Sequence, residues 1–173
     1  PGEGYFQNRA DYNIKVKFFI EEGNYIKGEE DVTYFNESPD TLNEVVIRLC
    51  QDFYKRELEH DFKLEENEYT DGVYLKEIKI GEAKITEEDY TRTATNLIIH
   101  LKDPLFPGQS LKMYFKWASS ITGGSSVRQG TYSKENGTDN AFFVAYWYPQ
   151  VAVYDDLWGW DTLEYTGLVE HYL

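Results

Sequence analysis

The side chains best suited to chemistry in this sequence are carboxylates that lie close together. Asp155 and Asp156 are adjacent, and Asp161 is followed by Glu164. Paired carboxylates serve as general acid and base in most glycoside hydrolases. The chain holds 31 acidic residues, so such pairs also arise without any function. Asp155 and Asp156 are equally suited to cap a turn ahead of Trp158-Gly159-Trp160, because Asp side chains bond to nearby backbone groups.

Histidine and cysteine do not form the patterns that metal or nucleophilic catalysis requires. His60, His100 and His171 are far apart, and no H-E-x-x-H pair is present. The sequence therefore predicts no zinc site, and we expect no metal or other cofactor in this chain. The G-x-S-x-G elbow of serine hydrolases is absent as well. Cys50, the only cysteine, ends an apolar stretch and is expected to pack as a small hydrophobe.

Composition argues against two classes of partner. The chain has 173 residues and a formal net charge of −14, from 31 acidic and 17 basic residues. An acidic surface repels phosphate backbones, so we expect no nucleic-acid partner. No apolar stretch reaches the roughly 20 residues that cross a bilayer, so we expect no membrane span.

Alternation of apolar and polar residues predicts strands along much of the chain. One parity of Tyr12–Ile20 is apolar and consists of Tyr12, Ile14, Val16, Phe18 and Ile20. This pattern indicates a half-buried strand. Related patterns between turn residues predict strands at Tyr25–Phe35, Leu42–Cys50, Val73–Ile80, Leu97–Leu101 and Leu111–Trp117.

The stretches between these strands do not show the residue pattern of long helices. Residues 83–96 are polar and fit an exposed strand pair or a sheet edge. Residues 51–69 fit a short surface helix or a solvated loop, and residues 119–140 fit a long loop. No helical pattern alternates with the strands, which argues against a doubly wound sheet. We therefore predict a single all-β domain, an antiparallel β-sandwich or saddle-like curved sheet with long loops.

The densest aromatic run of the chain spans residues 142–156. Six aromatic residues fall between Phe142 and Tyr154, and Trp158 and Trp160 follow. A run this apolar must be buried on both faces or pressed against a partner. One small sandwich can bury only some of these rings, so we expect the others to form an exposed patch for a partner. The alternative is that all of them belong to an ordinary core.

This run and its surroundings carry a series of motifs in order. The motifs of the run are Trp147-Tyr148-Pro149, Val151-Ala152-Val153-Tyr154-Asp155-Asp156, Gly159-Trp160, Tyr165, Gly167 and Glu170-His171-Tyr172. Those upstream are Tyr12, Asn36-x-Ser38-Pro39-Asp40-Thr41-Leu42, Pro104-Leu105-x-Pro107-Gly108 and Arg128-x-Gly130. Together they resemble bacterial members of the aminopeptidase N family of zinc peptidases (gluzincins). His171 departs from that pattern, because the family usually has Phe there.

The resemblance implies a fold and a place in a larger enzyme. In that family this region is an N-terminal saddle-like β domain, followed by a thermolysin-like catalytic domain with H-E-x-x-H. Neither H-E-x-x-H nor the family's G-x-M-E-N substrate loop occurs here. Residues 1–173 are therefore expected to be a non-catalytic N-terminal domain of a metallopeptidase. The zinc is expected in the catalytic domain, and bacterial relatives imply a secreted or periplasmic location.

The resemblance also implies which residues face the rest of the enzyme. The family's N-terminal domain packs on the catalytic domain of the same polypeptide and walls one side of the cleft that holds the peptide substrate. In aminopeptidases it supplies a Glu or Gln for the substrate's free α-amino group, and Asn140 and Gln150 are the candidates here. The expected cleft or interface residues are Asn140, Tyr146, Trp147, Tyr148, Gln150, Tyr154, Asp155, Trp158 and Trp160.

The C-terminus gives a further expectation. In relatives the strand that begins near Glu170 continues beyond the position of Leu173. An ending there is expected to leave a sheet edge unpaired, and such an edge can pair with a second molecule as an edge-strand dimer.

A stand-alone ligand-binding module is the alternative function. In a carbohydrate-binding β-sandwich, Trp and Tyr rings would stack on sugar faces, and Asp155 or Asp156 would bind hydroxyl groups or a cation. A third hypothesis, a structural adhesion domain, has no positive feature in the sequence.

Overall fold

The computed structural model describes residues 5–20, 23–124, 128–133 and 140–167. Its strands in chain order are β1 (Arg9–Phe19), β2 (Tyr25–Phe35), β3 (Leu42–Arg48), β4 (Val73–Ile80), β5 (Ala83–Lys84), β6 (Tyr90–Arg92), β7 (Asn96–Leu105), β8 (Ser110–Ser120), β9 (Gln129–Ser133), β10 (Asn140–Val144), β11 (Gln150–Val151), β12 (Tyr154–Asp155) and β13 (Gly159–Trp160). Short 3-10 helices occur at Cys50–Tyr54, Glu66–Glu68 and Glu87–Asp89. The chain is all-β, as predicted.

Two antiparallel sheets hold most of the strands. One has five strands in the order β1-β2-β8-β4-β5, and the other has four in the order β11-β3-β7-β6. β9 and β10 form a separate hairpin, and β12 and β13 form a smaller one. β2 is paired along its whole length with β1 on one side and β8 on the other. The strands predicted at Tyr12–Ile20 and Tyr25–Phe35 are therefore present and form an antiparallel pair.

The main hydrophobic core is shared by the two large sheets. Its most deeply buried members are Val32, Val45, Ile47, Leu97, Ile99, Phe115 and Trp117. The Trp117 ring lies against Gly28 on the neighbouring strand, where a Cβ atom would come within 2.4 Å of the ring. Glycine is needed at this position because the indole occupies the space of any side chain.

A second, smaller core fixes the stretch that follows β3. Its buried members are Cys50, Phe53, Tyr54, Leu64 and Tyr165. These contacts explain why residues 51–69 hold 3-10 turns and no α-helix. Burial raises the pKa of the Cys50 thiol to about 12, so this thiol packs as a hydrophobe, in agreement with the prediction.

β1 differs from its predicted burial. Its inward side is covered at Tyr12, whose hydroxyl accepts a hydrogen bond of 2.9 Å from the Val151 backbone N–H. Towards the other end, Val16 is 50% exposed, Phe18 is 40% exposed and Ile20 is 49% exposed. The half-buried strand predicted over Tyr12–Ile20 is therefore correct near Tyr12 and wrong near Ile20, because an open groove beside Val16 and Phe18 leaves that end in solvent.

One carboxylate is enclosed in the main core. Glu30 points inward from β2 and is 1% exposed, and neither carboxylate oxygen has a hydrogen-bond partner among the described residues. Burial raises the pKa of Glu30 to about 9, because desolvation disfavours the anion. In the folded chain Glu30 is therefore protonated at neutral pH, whereas in the unfolded chain it ionises near 4.5. The contribution of the protonated Glu30 side chain to the free energy of unfolding is complete below pH 4.5 and is lost as the pH rises to about 9.

We expect Glu30→Gln to remove this pH dependence, because the amide is neutral like the protonated acid. Between pH 4.5 and about 9 the wild-type free energy of unfolding should fall by up to about 1.4 kcal/mol per pH unit more steeply than that of the variant. Urea unfolding across this range measures the difference.

The matched control for that experiment is Glu29→Gln, one residue earlier on the solvent side. The ion pair with Lys116 lowers the pKa of Glu29, so in the folded chain Glu29 titrates below the pH range of this experiment. Equal pH slopes in wild type and Glu30→Gln would mean that Glu30 is not held protonated in the core.

Candidate functional site

The aromatic run begins in a hairpin that the sequence did not predict. β10 pairs with β9 from Asn140 opposite Ser133 to Val144 opposite Gln129. Part of the stretch 119–140, predicted as a loop, is therefore a strand. Gln129 is 1% exposed, and its amide has no hydrogen-bond partner among the described residues. The backbone of the candidate residue Asn140 opens β10.

After β10 the chain turns at Tyr146 in a left-handed conformation. Its φ is +50°, a region that costs a non-glycine residue roughly 1 kcal/mol. The Gln51 side chain holds this turn, because its Nε2 donates to the carbonyl oxygen of Ala145 at 2.6 Å and to that of Tyr146 at 3.4 Å. A backbone bond of 2.7 Å from Ala145 N–H to the Arg128 carbonyl ties the turn to β9.

The Tyr146 ring is half-buried between two neighbours. Its centroid lies 5.8 Å from that of Tyr165, and the Arg128 guanidinium carbon lies 5.5 Å from the ring centroid. A cation over an aromatic face is attracted by the ring quadrupole. Sequence reasoning named Tyr146 but missed Gln51 and Arg128 as its supports.

Trp147 and Tyr148 lie at the margin of the main core. The Trp147 ring is 5.9 Å from that of Trp117 and 5.0 Å from that of Tyr148, and the Tyr148 ring is 5.4 Å from that of Tyr12. Both side chains are half-buried, so each leaves part of its surface in solvent. These rings join the aromatic run to the five-stranded sheet.

Gln150 lies in β11, an edge strand of the four-stranded sheet, opposite Arg48 on β3. It is 6% exposed, and its Oε1 has no hydrogen-bond partner in the described part of the chain. A buried amide oxygen without a partner is rare in folded proteins. The position is compatible with acceptance of a hydrogen bond from a bound group, although the side chain is closed to bulk solvent.

The next turn contains Asp155 and Gly159. The Asp155 Oδ1 accepts hydrogen bonds from the backbone N–H groups of Leu157, at 2.8 Å, and Trp158, at 2.7 Å. Gly159 has φ +72° and closes the β12–β13 hairpin. The turn-capping interpretation of Asp155 is therefore confirmed. This carboxylate organises the backbone of the turn.

Tyr154 and Trp160 fasten that hairpin to the body of the domain. The Tyr154 hydroxyl donates to Asp40 Oδ2 at 2.8 Å, and the Trp160 Nε1 donates to the Glu44 carbonyl at 3.1 Å. Their rings are 5.3 Å apart. Burial, with the neighbouring Asp40 carboxylate, raises the pKa of Tyr154 to about 12, so its hydroxyl keeps its proton. Both candidate residues thus anchor the hairpin.

Three large apolar side chains on the same segment point into solvent. Leu157 is 79% exposed, Trp158 is 84% exposed and Leu163 is 72% exposed. We call these three residues the exposed apolar group. An isolated exposed leucine needs no explanation, whereas here a nearly free indole lies on the same segment as two exposed leucines.

The segment is fixed because a buried arginine holds it. Arg48 is 2% exposed and forms an ion pair with Asp161. It also donates to the Leu163 carbonyl, and to Asn96 Oδ1 at 2.8 Å. The Asn96 Nδ2 donates in turn to the Thr162 carbonyl at 3.1 Å. Hence the segment of Leu163 is bonded to the four-stranded sheet while its side chain faces outward.

Glu164 completes this attachment. Its Oε2 accepts hydrogen bonds from Thr95, 2.7 Å from the backbone N–H and 2.8 Å from the hydroxyl. Burial raises the pKa of Glu164, but hydrogen bonds from the Thr93 and Thr95 side chains and from the Thr95 and Ala94 backbone outweigh it and hold this pKa below its usual range. The paired acids of the sequence, Asp161 and Glu164, are both used to hold the chain. These contacts explain the presence of both acids without a role in acid–base catalysis.

A cavity of about 560 Å³ lies beside Tyr154 and Asp155. It is lined by the N-terminal stretch before β1, by residues 151–156, and by Tyr12 and Tyr34. Tyr5, at its margin, is 65% exposed. Aromatic rings beside carboxylates are the chemistry that the carbohydrate-binding alternative requires.

The described residues carry no cluster of three or more His, Cys, Asp or Glu side chains able to hold a metal ion. In the same residues there is no helix long and apolar enough to cross a membrane. The motif Glu170-His171-Tyr172, and with it the sheet edge on which the edge-strand dimer was predicted, lies outside the described residues.

Comparison with known proteins gives structural similarity alone. No protein-family model and no curated protein matches the chain. The chain is similar to a mutant M1 zinc metallopeptidase from Deinococcus radiodurans bound to a Tyr-Ser-Ala substrate, with 13% identity and a TM-score of 0.46 over 72% of this chain and 23% of that one.

Two further solved structures are similar. A two-domain M1 zinc metallopeptidase mutant bound to L-arginine has 11% identity and a TM-score of 0.46 over 87% of this chain and 41% of that one. Legionella pneumophila aminopeptidase A in complex with aspartic acid has 14% identity and a TM-score of 0.40, over 75% of this chain and 13% of that one. The chain spans less than half the length of each of these proteins.

We expect Arg48→Met to destabilise the domain by about 3–5 kcal/mol, because it leaves buried acceptors and the Asp161 carboxylate without their partner. Urea unfolding at neutral pH measures the loss. Arg56→Met is the matched control, since Arg56 and Glu66 form an ion pair that is 59% and 83% exposed, and its removal should cost less than about 1 kcal/mol. Similar losses in the two variants would show that Arg48 does not hold the segment.

Proposed function

We propose that this chain is the non-catalytic N-terminal domain of a zinc metallopeptidase of the aminopeptidase type. In this proposal it packs on the catalytic domain of the same polypeptide and walls one side of the substrate cleft. The ordered motifs of the aromatic run support the family. The chain supplies no zinc ligand, and the zinc with its H-E-x-x-H pair belongs to the catalytic domain.

The observation that carries the proposal is the exposed apolar group. Leu157, Trp158 and Leu163 lie in solvent, although the turn at Asp155 and the bonds of Arg48 fix the segment on both sides. Burial of such a side chain against a partner is worth roughly 1.5–3 kcal/mol. Tryptophan is also enriched among the residues that dominate binding energy at interfaces. In this proposal a second domain covers the exposed apolar group and so removes these side chains from solvent.

The proposed cleft wall lies on the aromatic run that leads to this group. Tyr146 keeps a strained backbone held by Gln51, and strained residues cluster at binding and active sites. Asn140 and Gln150 stay the candidates for the substrate's α-amino group. The Gln150 Oε1 is an acceptor without a partner among the described residues, which suits an ammonium donor.

The first test is the gene beyond Leu173. The proposal expects an H-E-x-x-H motif within the next few hundred codons, followed by a Glu ligand. A stop codon, or a downstream domain of another class, would contradict the proposal.

The second test is association of this domain with the catalytic domain expressed separately, measured by calorimetry. Trp158→Ser should weaken binding by about thirtyfold or more, as expected for the loss of a buried tryptophan anchor. Phe106→Ser is the matched control, because Phe106 is 52% exposed in the turn between β7 and β8. Equal effects of the two substitutions would contradict a docking role for the exposed apolar group.

A carbohydrate-binding module is the second candidate, favoured by the cavity beside Tyr154 and Asp155. Titration with neutral oligosaccharides tests it. Under this hypothesis binding is saturable and is lost in Tyr5→Ala, whereas Tyr132→Ala keeps it, since Tyr132 lies in β9 outside the cavity. Absence of saturable binding removes this candidate.

A further inference from the structure

The outer strand of the five-stranded sheet has a long open edge. β1 has 11 residues and pairs with β2 on one side only. On its other side no strand pairs with it in the part of the chain that the structure describes. In an antiparallel pair every second residue directs its N–H and C=O groups away from the partner. β1 therefore presents a row of backbone groups on which another strand can pair.

The half of this edge nearest Phe19 has a basic face in a strongly acidic protein, whereas Asp11 and Asp31 share that face in the other half. Lys17 pairs opposite Lys27, and Lys15 pairs opposite Glu29, which already forms an ion pair with Lys116. The ammonium groups of Lys17 and Lys27 each lie 4.9 Å from the centroid of the Phe19 ring. Among the described residues neither has a carboxylate within ion-pair distance, so both charges are available to a ligand.

The other face of the same edge is apolar and open. Val16 and Phe18 border a groove of about 250 Å³, whose remaining lining residues are Ile26, Phe142, Val144 and Trp147. The Phe18 and Phe142 rings meet edge to face at 5.0 Å. A side chain that lies beside Val16 on an added strand would enter this groove.

We propose that the β1 edge binds an extended peptide whose side chains alternate between acidic and apolar. Such a strand would pair with the backbone of β1. Its acidic side chains would reach Lys15, Lys17 and Lys27 on one face, and its apolar side chains would enter the groove beside Phe18 on the other. The period of two in a strand matches this division of the edge into two faces. This binding surface is separate from the exposed apolar group and does not depend on the proposed function.

Charge favours this occupant over two others. A second copy of the chain that pairs antiparallel through its own β1, centred on Val16, would place Lys15 opposite Lys17, and like charges opposite each other are destabilising. An extended polyanion would meet the field of the whole molecule, whose net charge is −14. In the peptide, the acidic side chains beside Lys15 and Lys17 lie within the roughly 8 Å over which the lysine charges act at physiological salt.

The test is fluorescence anisotropy with a labelled, capped peptide of alternating Glu and Val that matches β1 in length. Lys15→Glu with Lys17→Glu should weaken binding about tenfold or more, because two attractions become repulsions. Lys79→Glu with Lys84→Glu is the control with the same charge change. It lies on β4 and β5 at the opposite edge, and we expect it to change the Kd less than about twofold.

Two further peptides separate strand pairing from simple charge attraction. A peptide with the same residues in an acidic block and an apolar block should bind much more weakly, and so should one with alternate N–H groups methylated. Equal binding of all three peptides would overturn the proposal, and so would no binding of the alternating peptide. Tighter binding of a heparin fragment or of phosphatidylserine vesicles would assign the lysines to a polyanion and would also overturn it.

Discussion

The buried guanidinium of Arg48 is the interaction on which the rest of the candidate site depends. It lies under the last described segment and bonds to Asp161 and to the Leu163 carbonyl, while Asn96 holds its other side. A guanidinium can satisfy several acceptors in one plane, so a single side chain bonds to several points of the segment. With the turn at Asp155 and the bonds of Glu164 to Thr95, it fixes the backbone while the side chains of Leu157, Trp158 and Leu163 face solvent.

The strands could be predicted from the sequence because their signal is local. The alternation that ends in Met113, Phe115 and Trp117 is a period of two, and it appears unchanged in β8. The turn at Asp155 is local as well, since the carboxylate bonds to residues two and three positions later. The all-β class and the antiparallel pair of β1 and β2 thus follow from neighbouring residues alone.

Features that depend on distant contacts could not be predicted. Glu30 shares its parity with apolar residues of β2, but nothing in the sequence shows that the core closes over a carboxylate. Gln129 opens β9. In the described part of the chain β9 pairs with the aromatic strand β10 alone, and this pairing cannot be seen in the residues of β9 themselves. Trp158 and Trp160 are the same residue type two positions apart, yet Gly159 reverses the chain between them. One ring therefore faces solvent and the other packs on Tyr154.

Under the proposed function, the segment carries its apolar side chains outward because another domain covers them. The most direct measurement is hydroxyl-radical footprinting of Trp158, first in this chain alone and then in the whole polypeptide that the gene encodes. The account predicts rapid oxidation of the indole in the isolated domain and much slower oxidation in the longer protein, with Tyr74, which is 66% exposed, unchanged as an internal reference. Equal oxidation of Trp158 in both would contradict the claim that this surface is an interface between domains.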